Sequence, residues 1–177
     1  CCGAQEESTQ HITRCTNPGR TKMFHETVSD LVHWMRQKNG HPLLAQAIQT
    51  YLTNRGRIRM SRTCSHWPSF SSFSRDHDNL GWDSFIMGRI SKSLLAIQQS
   101  HLTQVGSRQS ISLWASQFTH KLLNIPHKQW LYRNARIHIR LVEGLTTAEH
   151  DTIRDQVVTL LSTDPDDLLP QHQPLLL

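Results

Sequence analysis

Between Thr21 and Lys38 the apolar positions are Phe24, Val28, Leu31, Val32 and Met35, intervals that place them on one face of a helix. Asn39-Gly40 reads as its stop, and His41-Pro42 restarts a helix with proline in the first turn. Leu43, Leu44, Ala47, Ile48, Tyr51 and Leu52 continue that helix, so residues 20–52 are predicted to form a helical hairpin. The pattern then breaks. Arg55, Arg57, Arg59 and Arg62 precede Ser65, Ser69, Ser71, Ser72 and Ser74, with His66, Trp67 and Pro68 among them, and residues 53–79 read as a Ser/Arg-rich linker. A longer helix is expected from about Trp82 to Thr103, with Phe85, Ile86, Ile90, Leu94 and Ile97 inward and Gly106 beyond its end. The next begins near Ser110 and carries Leu113, Trp114, Phe118, Leu122 and Ile125. Pro126 should kink or divide it, after which the spacing resumes through Trp130, Asn134, Ile137 and Leu141 to Gly144. Thr146-Thr147-Ala148-Glu149 has the form of a capping box, and Ile153, Val157, Leu160 and Leu161 mark a last helix before Asp164-Pro165.

No strand pattern and no internal repeat is visible. The prediction is an all-α protein, an irregular bundle of about five to six helices with a short N-terminal segment and long loops. Its expected parts are residues 1–19, the hairpin 20–52, the linker 53–79, a helical domain 80–163 and a tail 164–177.

Composition narrows the class. The chain has 177 residues, 37% of them apolar and 19% charged, enough for one modest domain with a thin core. No apolar run approaches the roughly 18 residues of a membrane span, so no membrane role is expected. No secretory signal pattern opens the chain, and its first residue is Cys1, which suggests a piece of something longer. The net charge of +5 is unevenly spread. Residues 80–145 carry 8 basic and 2 acidic side chains, whereas residues 146–177 carry 1 and 6. No acid lies between Asp83 and Glu143, a pattern that favours a polyanionic partner, RNA or DNA. The competing reading is a solvated basic face balanced by the acidic end.

Three of the four cysteines, Cys1, Cys2 and Cys15, fall in the first 15 residues; the fourth is Cys64. A disulfide-stapled domain would spread them along the chain, whereas clustering near a histidine points to a metal site in a reducing compartment, hence an intracellular, cytoplasmic or nuclear protein. Cys2, His11 and Cys15 are thiolate and imidazole donors of the kind that bind structural zinc, but a closed site needs four. The expectation is a zinc site lacking one ligand; the alternative is incidental thiols.

Here a family resemblance becomes specific. Cys2-Gly3-Ala4, Glu6-Glu7, Thr9-Gln10-His11 and Arg14-Cys15 resemble the zinc knuckle that follows the polymerase in retroelement reverse transcriptases. That family's pattern is Cys-Pro-x-Cys, an acidic pair, a His and a final Cys before a helix, so the resemblance implies that the first ligand precedes this chain. Gly81-Trp82-Asp83-Ser84-Phe85 and Gly88-Arg89-Ile90-Ser91 resemble a downstream block of such polyproteins. Trp114, Gln129-Trp130-Leu131-Tyr132-Arg133-Asn134 and His138 resemble another, and Asp167-Leu168-Leu169-Pro170 resembles its tail. The resemblance implies a non-catalytic fragment downstream of a reverse transcriptase, with nucleic acid or the upstream polymerase region as partner.

On the residues themselves, Arg133, Arg136 and Arg140 share one helical face, while Trp130, Ile137 and Leu141 fall roughly on another, and Lys128 is a further cation of the same stretch. These four cations are the candidate nucleic-acid contacts, since phosphate pairing supplies most nonspecific affinity. The structural alternative is a helix whose Arg133 and Asn134 satisfy their neighbours. No phosphate-binding loop, H-E-x-x-H or G-x-S-x-G motif is present, nor an aspartate pair in a strand–turn–strand setting, and no enzyme is expected. Asp76-His77-Asp78 could serve a metal-dependent hydrolase, but reads more plainly as a polar turn with Asp78 or Asn79 capping the helix that follows.

Overall fold

The computed structural model describes residues 9–142 and 147–162. These form an all-α protein with no strand among the described residues: α1 (Thr9–Arg14), α2 (Pro18–Gln37), α3 (Pro42–Thr53), α4 (Met60–Thr63), a 3-10 turn (Pro68–Phe70), α5 (Ser71–Ile86), α6 (Lys92–Gln104), α7 (Ile111–Val142) and α8 (Thr147–Leu161). The chain divides into two compact units, residues 1–134 and 135–177.

The first unit holds the core. Asn17 caps α2 by accepting from the N–H groups of Gly19 (3.1 Å) and Arg20 (3.3 Å), with Pro18 in the first turn. The expected apolar face of α2, Phe24, Val28, Leu31, Val32 and Met35, is buried against α3. The turn between them is tight. Asn39 takes the left-handed conformation (φ 51°), and the Gly40 N–H donates to the Met35 carbonyl at 2.7 Å. A Cβ on Gly40 would stand 2.7 Å from that oxygen, so the position admits only glycine without a shift. His41 then caps α3 through Nδ1, which accepts from the Leu44 N–H at 3.4 Å.

The segment expected to be a linker, residues 53–79, folds instead. Met60, Cys64, Phe70 and Phe73 are buried in the same core as α2 and α3. Asp78 was expected to cap its own helix; it lies inside α5, and its carboxylate accepts from the N–H groups of Met60 (2.7 Å) and Ser61 at the start of α4. The helix expected from Trp82 to Thr103 is two pieces. Gly81 (φ 73°, ψ 167°) interrupts α5 just before Trp82, and Gly88 (φ 85°) precedes the break to α6. Ser91 caps α6, its Oγ accepting from the Leu94 N–H at 3.2 Å.

Helix α7 runs through Pro126 without dividing. Its first-unit part buries Trp114, Phe118, Leu122 and Ile125, and Trp114 stacks on Phe118 at 5.1 Å while touching Trp34 at 5.7 Å. The expected inward position Trp130 is 48% exposed. Its neighbour Gln129 turns inward instead and donates through Nε2 to the Arg20 carbonyl at 3.1 Å. In the second unit, the described face of α8 includes exposed Ile153, Val157 and Val158.

Candidate functional site

The proposed metal ligands do not assemble a donor set among the described residues. Cys2 lies outside them, His11 sits half-exposed on the short α1, and Cys15 is buried just after it. The Cys15 carbonyl accepts a hydrogen bond from Nη1 of Arg55, which ties this segment to the end of α3. No group of three His, Cys, Asp or Glu side chains suited to a metal occurs among the described residues. Of the three expected ligands, only His11 and Cys15 lie among the described residues. Cys64 is likewise buried, and burial pushes its thiol up to about 11, with Asp78 adding to the rise, so it stays a protonated core residue at neutral pH.

The four candidate nucleic-acid contacts are all on α7, but they fall in different settings. In the first unit, Lys128 is half-buried and pairs with Asp30 of α2 at 3.4 Å, and Arg133 donates to Asn134 Oδ1 at 3.2 Å. Both therefore have structural partners. In the second unit, Arg136 is exposed, and the Arg140 side chain lies outside the described residues. Arg89, Lys92 and Arg108 add exposed cations in the same acid-free stretch.

Asp76, His77 and Asp78 do not converge. Asp76 accepts from Ser93 Oγ at 2.5 Å, which extends to Ser91 at 2.9 Å and so braces the start of α6. Asp78 holds the start of α4. His77 is fully buried between Phe73 (4.8 Å) and Phe85 (5.0 Å), and neither ring nitrogen has a hydrogen-bond partner among the described residues. Burial pushes its pKa down to about 4, against the weaker pull of Asp76 and Asp78. Three adjacent polar residues thus do three separate jobs, and a shared metal or acid–base site would need them pointing one way.

Two further features escaped the sequence pattern. The first is a junction of α6 with the α2–α3 turn. Fully buried Gln98 accepts from the His41 N–H at 2.9 Å and donates to the Asn39 carbonyl at 2.9 Å. Beside it His41 packs 4.9 Å from His101 and 5.4 Å from Phe70; burial, then His101, holds the His41 pKa below its ordinary value. The second is an apolar groove of about 540 Å³, lined by Ile12, Met87, Leu123, Pro126 and Trp130 with His120 and His127. Met87, Leu123 and Trp130 are exposed, and His127 lies parallel to Trp130 at 6.1 Å. Only Trp130 had a signal in the sequence, and it was the wrong one, since helical spacing assigned it to the core.

No helix among the described residues is long and apolar enough to cross a membrane. Comparison with protein-family models, with curated proteins and with solved structures found no match.

Proposed function

We propose that the chain is a non-catalytic helical part of a retroelement polyprotein, acting downstream of its reverse transcriptase as a nucleic-acid-binding element that helps scaffold the polymerase. The observation that supports this best is the stretch from residue 84 to residue 142, which has eight Lys or Arg and no Asp or Glu. It covers the end of α5, all of α6 and all of α7; Lys92, Lys121, Lys128, Arg133, Arg136 and Arg140 lie on these helices, and Arg89 and Arg108 in the connections between them. A polyanion recruited there would gain mainly from counterion release, without base-specific readout. The test is binding of single- and double-stranded RNA and DNA across a salt series. Affinity should fall steeply with salt, and Arg133→Ala and Arg140→Ala should each reduce the slope by about one. Absence of binding at low salt would remove the nucleic-acid role.

A second reading, a protein-interaction module without a nucleic-acid role, has its own support in the groove of Ile12, Met87, Leu123 and Trp130. It predicts self-association or capture of a reverse transcriptase fragment that Trp130→Ala weakens. A monomer at high concentration that binds no polymerase fragment counts against it.

A further inference from the structure

The turn after α3 concentrates positive charge around an opening that no Asp or Glu among the described residues lines. Asn54 ends the helix, and Arg55 follows in the left-handed conformation (φ 52°), unusual for a residue with a side chain. This conformation carries the Arg55 side chain inward, where only 6% of the residue stays exposed. Its guanidinium lies over the Phe24 ring at 4.7 Å. Nη1 donates to the Cys15 carbonyl and Nη2 to Thr21 Oγ1 at 3.0 Å. All of these partners are neutral. No carboxylate pairs with Arg55 among the described residues, although buried guanidinium groups are ordinarily matched to one.

The same guanidinium lines a cleft of about 280 Å³ together with Thr16, Thr21, His25, Thr53 and Arg57. Among the described residues no Asp or Glu lines it. Burial holds the Arg55 pKa below the ordinary value; Cys15 acts against that, and the charge of exposed Arg57 adds to the lowering. Arg55 and Arg57 therefore line one opening, and the Arg57 charge adds to the electrostatic cost of the Arg55 guanidinium. A bound anion relieves that cost. Five N–H donors on a guanidinium leave Arg55 with three beyond the two it uses, in the fork geometry that matches tetrahedral oxyanions. Threonine hydroxyls around the rim supply further donors of the type that completes a phosphate shell. The cleft is larger than a bare oxyanion needs and below the usual range for drug-sized ligands, which begins at about 300 Å³.

We infer that the cleft at Arg55 and Arg57 is a binding site for a phosphate group, carried either on a small molecule or on a nucleic-acid strand. The site is separate from the acid-free stretch on α6 and α7 and stands without it.

The first experiment titrates the full chain with inorganic phosphate and with thymidine 5′-monophosphate by calorimetry, at fixed ionic strength, with thymidine as the phosphate-free control. Phosphate and the nucleotide should bind, and thymidine should not. Arg55 also holds Cys15 and Phe24, so the primary variant is Arg57→Gln, at an exposed position. Losing one charge-assisted contact should weaken phosphate binding about tenfold. Arg55→Lys, which keeps the charge but loses the fork, should weaken it too, with far-ultraviolet circular dichroism confirming the helical content. Arg36→Gln, at an exposed cation that does not line the cleft, should leave phosphate binding unchanged, which separates a site at Arg57 from a general effect of lowered charge. Competition by an oligothymidylate assigns the source: displacement of phosphate identifies a strand, and no displacement identifies a small phosphate ester. Failure of wild-type protein to bind phosphate or the nucleotide, or equal binding by Arg57→Gln, overturns the inference.

Discussion

His77 should make the fold acid-sensitive in a window that a single substitution can erase. The ring is fully buried between Phe73 and Phe85, and neither nitrogen has a protein partner among the described residues. Burial lowers its pKa from the ordinary 6.5 to about 4. Between those values the unfolded chain binds a proton at His77 and the folded chain does not. Stability therefore falls as pH drops through 6.5, and the loss levels off once pH is below about 4. A gap of about 2.5 units corresponds to about 3 kcal/mol, a large part of the stability of a typical domain. His77→Leu conserves volume and removes two unpaired nitrogens, so at neutral pH it should be neutral or stabilising. The assay is urea unfolding of wild-type and variant at several pH values from neutral down to about 4, read by tryptophan fluorescence. Carboxylates titrate in both proteins, so the informative quantity is the difference between the two curves. It should grow by about 3 kcal/mol across the window. Parallel curves would refute the reasoning and mean that water or a neighbour solvates the ring.

Other substitutions probe the junctions between helices. Gln98→Leu leaves the His41 N–H and the Asn39 carbonyl buried without their partner and should cost about 1–3 kcal/mol in the same unfolding assay. Trp114→Ala empties a fully buried site against Trp34 and Phe118 and should cost about 3–5 kcal/mol; a loss below about 1 kcal/mol would show that the ring is not in the core. Gly40→Ala forces a Cβ onto the Met35 carbonyl and should lower the thermal midpoint, whereas Asn39→Gly, at a left-handed residue, should leave it nearly unchanged. Lys128→Ala breaks an exposed ion pair with Asp30 and should change stability by under about 1 kcal/mol, so any larger effect on nucleic-acid binding would report a direct contact.

The helices that sequence periodicity could find are those whose apolar face is dense. Phe24, Val28, Leu31, Val32 and Met35 announce α2, and the stop at Asn39-Gly40 and the start at Pro42 are chemical signals a turn requires. Gly88 and Ser91 also spelled out the break between α5 and α6, as a positive φ and an N-cap. Ile90 and Leu94 keep an apolar rhythm across that break, so periodicity alone does not reveal it. The stretch from residue 53 to residue 79 fails the same test for a different reason. Met60, Cys64, Phe70 and Phe73 are too sparse among serines to show a period, and α4 is held by the Asp78 carboxylate, 18 positions further on from Met60.

The polar residues turned inward share a logic that periodicity cannot express. Gln98 satisfies the backbone of the α2–α3 turn, Gln129 the Arg20 carbonyl, Asp78 the first N–H groups of α4, and Arg55 the Cys15 carbonyl after α1. Each reaches a backbone group near a helix end or turn; for all but the Arg20 carbonyl, which lies in the first turn of α2, the regular ladder leaves that donor or acceptor over. A protein assembled from short helices has many such ends, so it needs many such residues, and a two-letter apolar/polar alphabet must assign each of them to the surface. The same requirement brings a guanidinium to the end of α3, where no carboxylate among the described residues pairs with it. A side chain recruited to satisfy a carbonyl keeps its full charge, and the site at Arg55 and Arg57 follows from that charge.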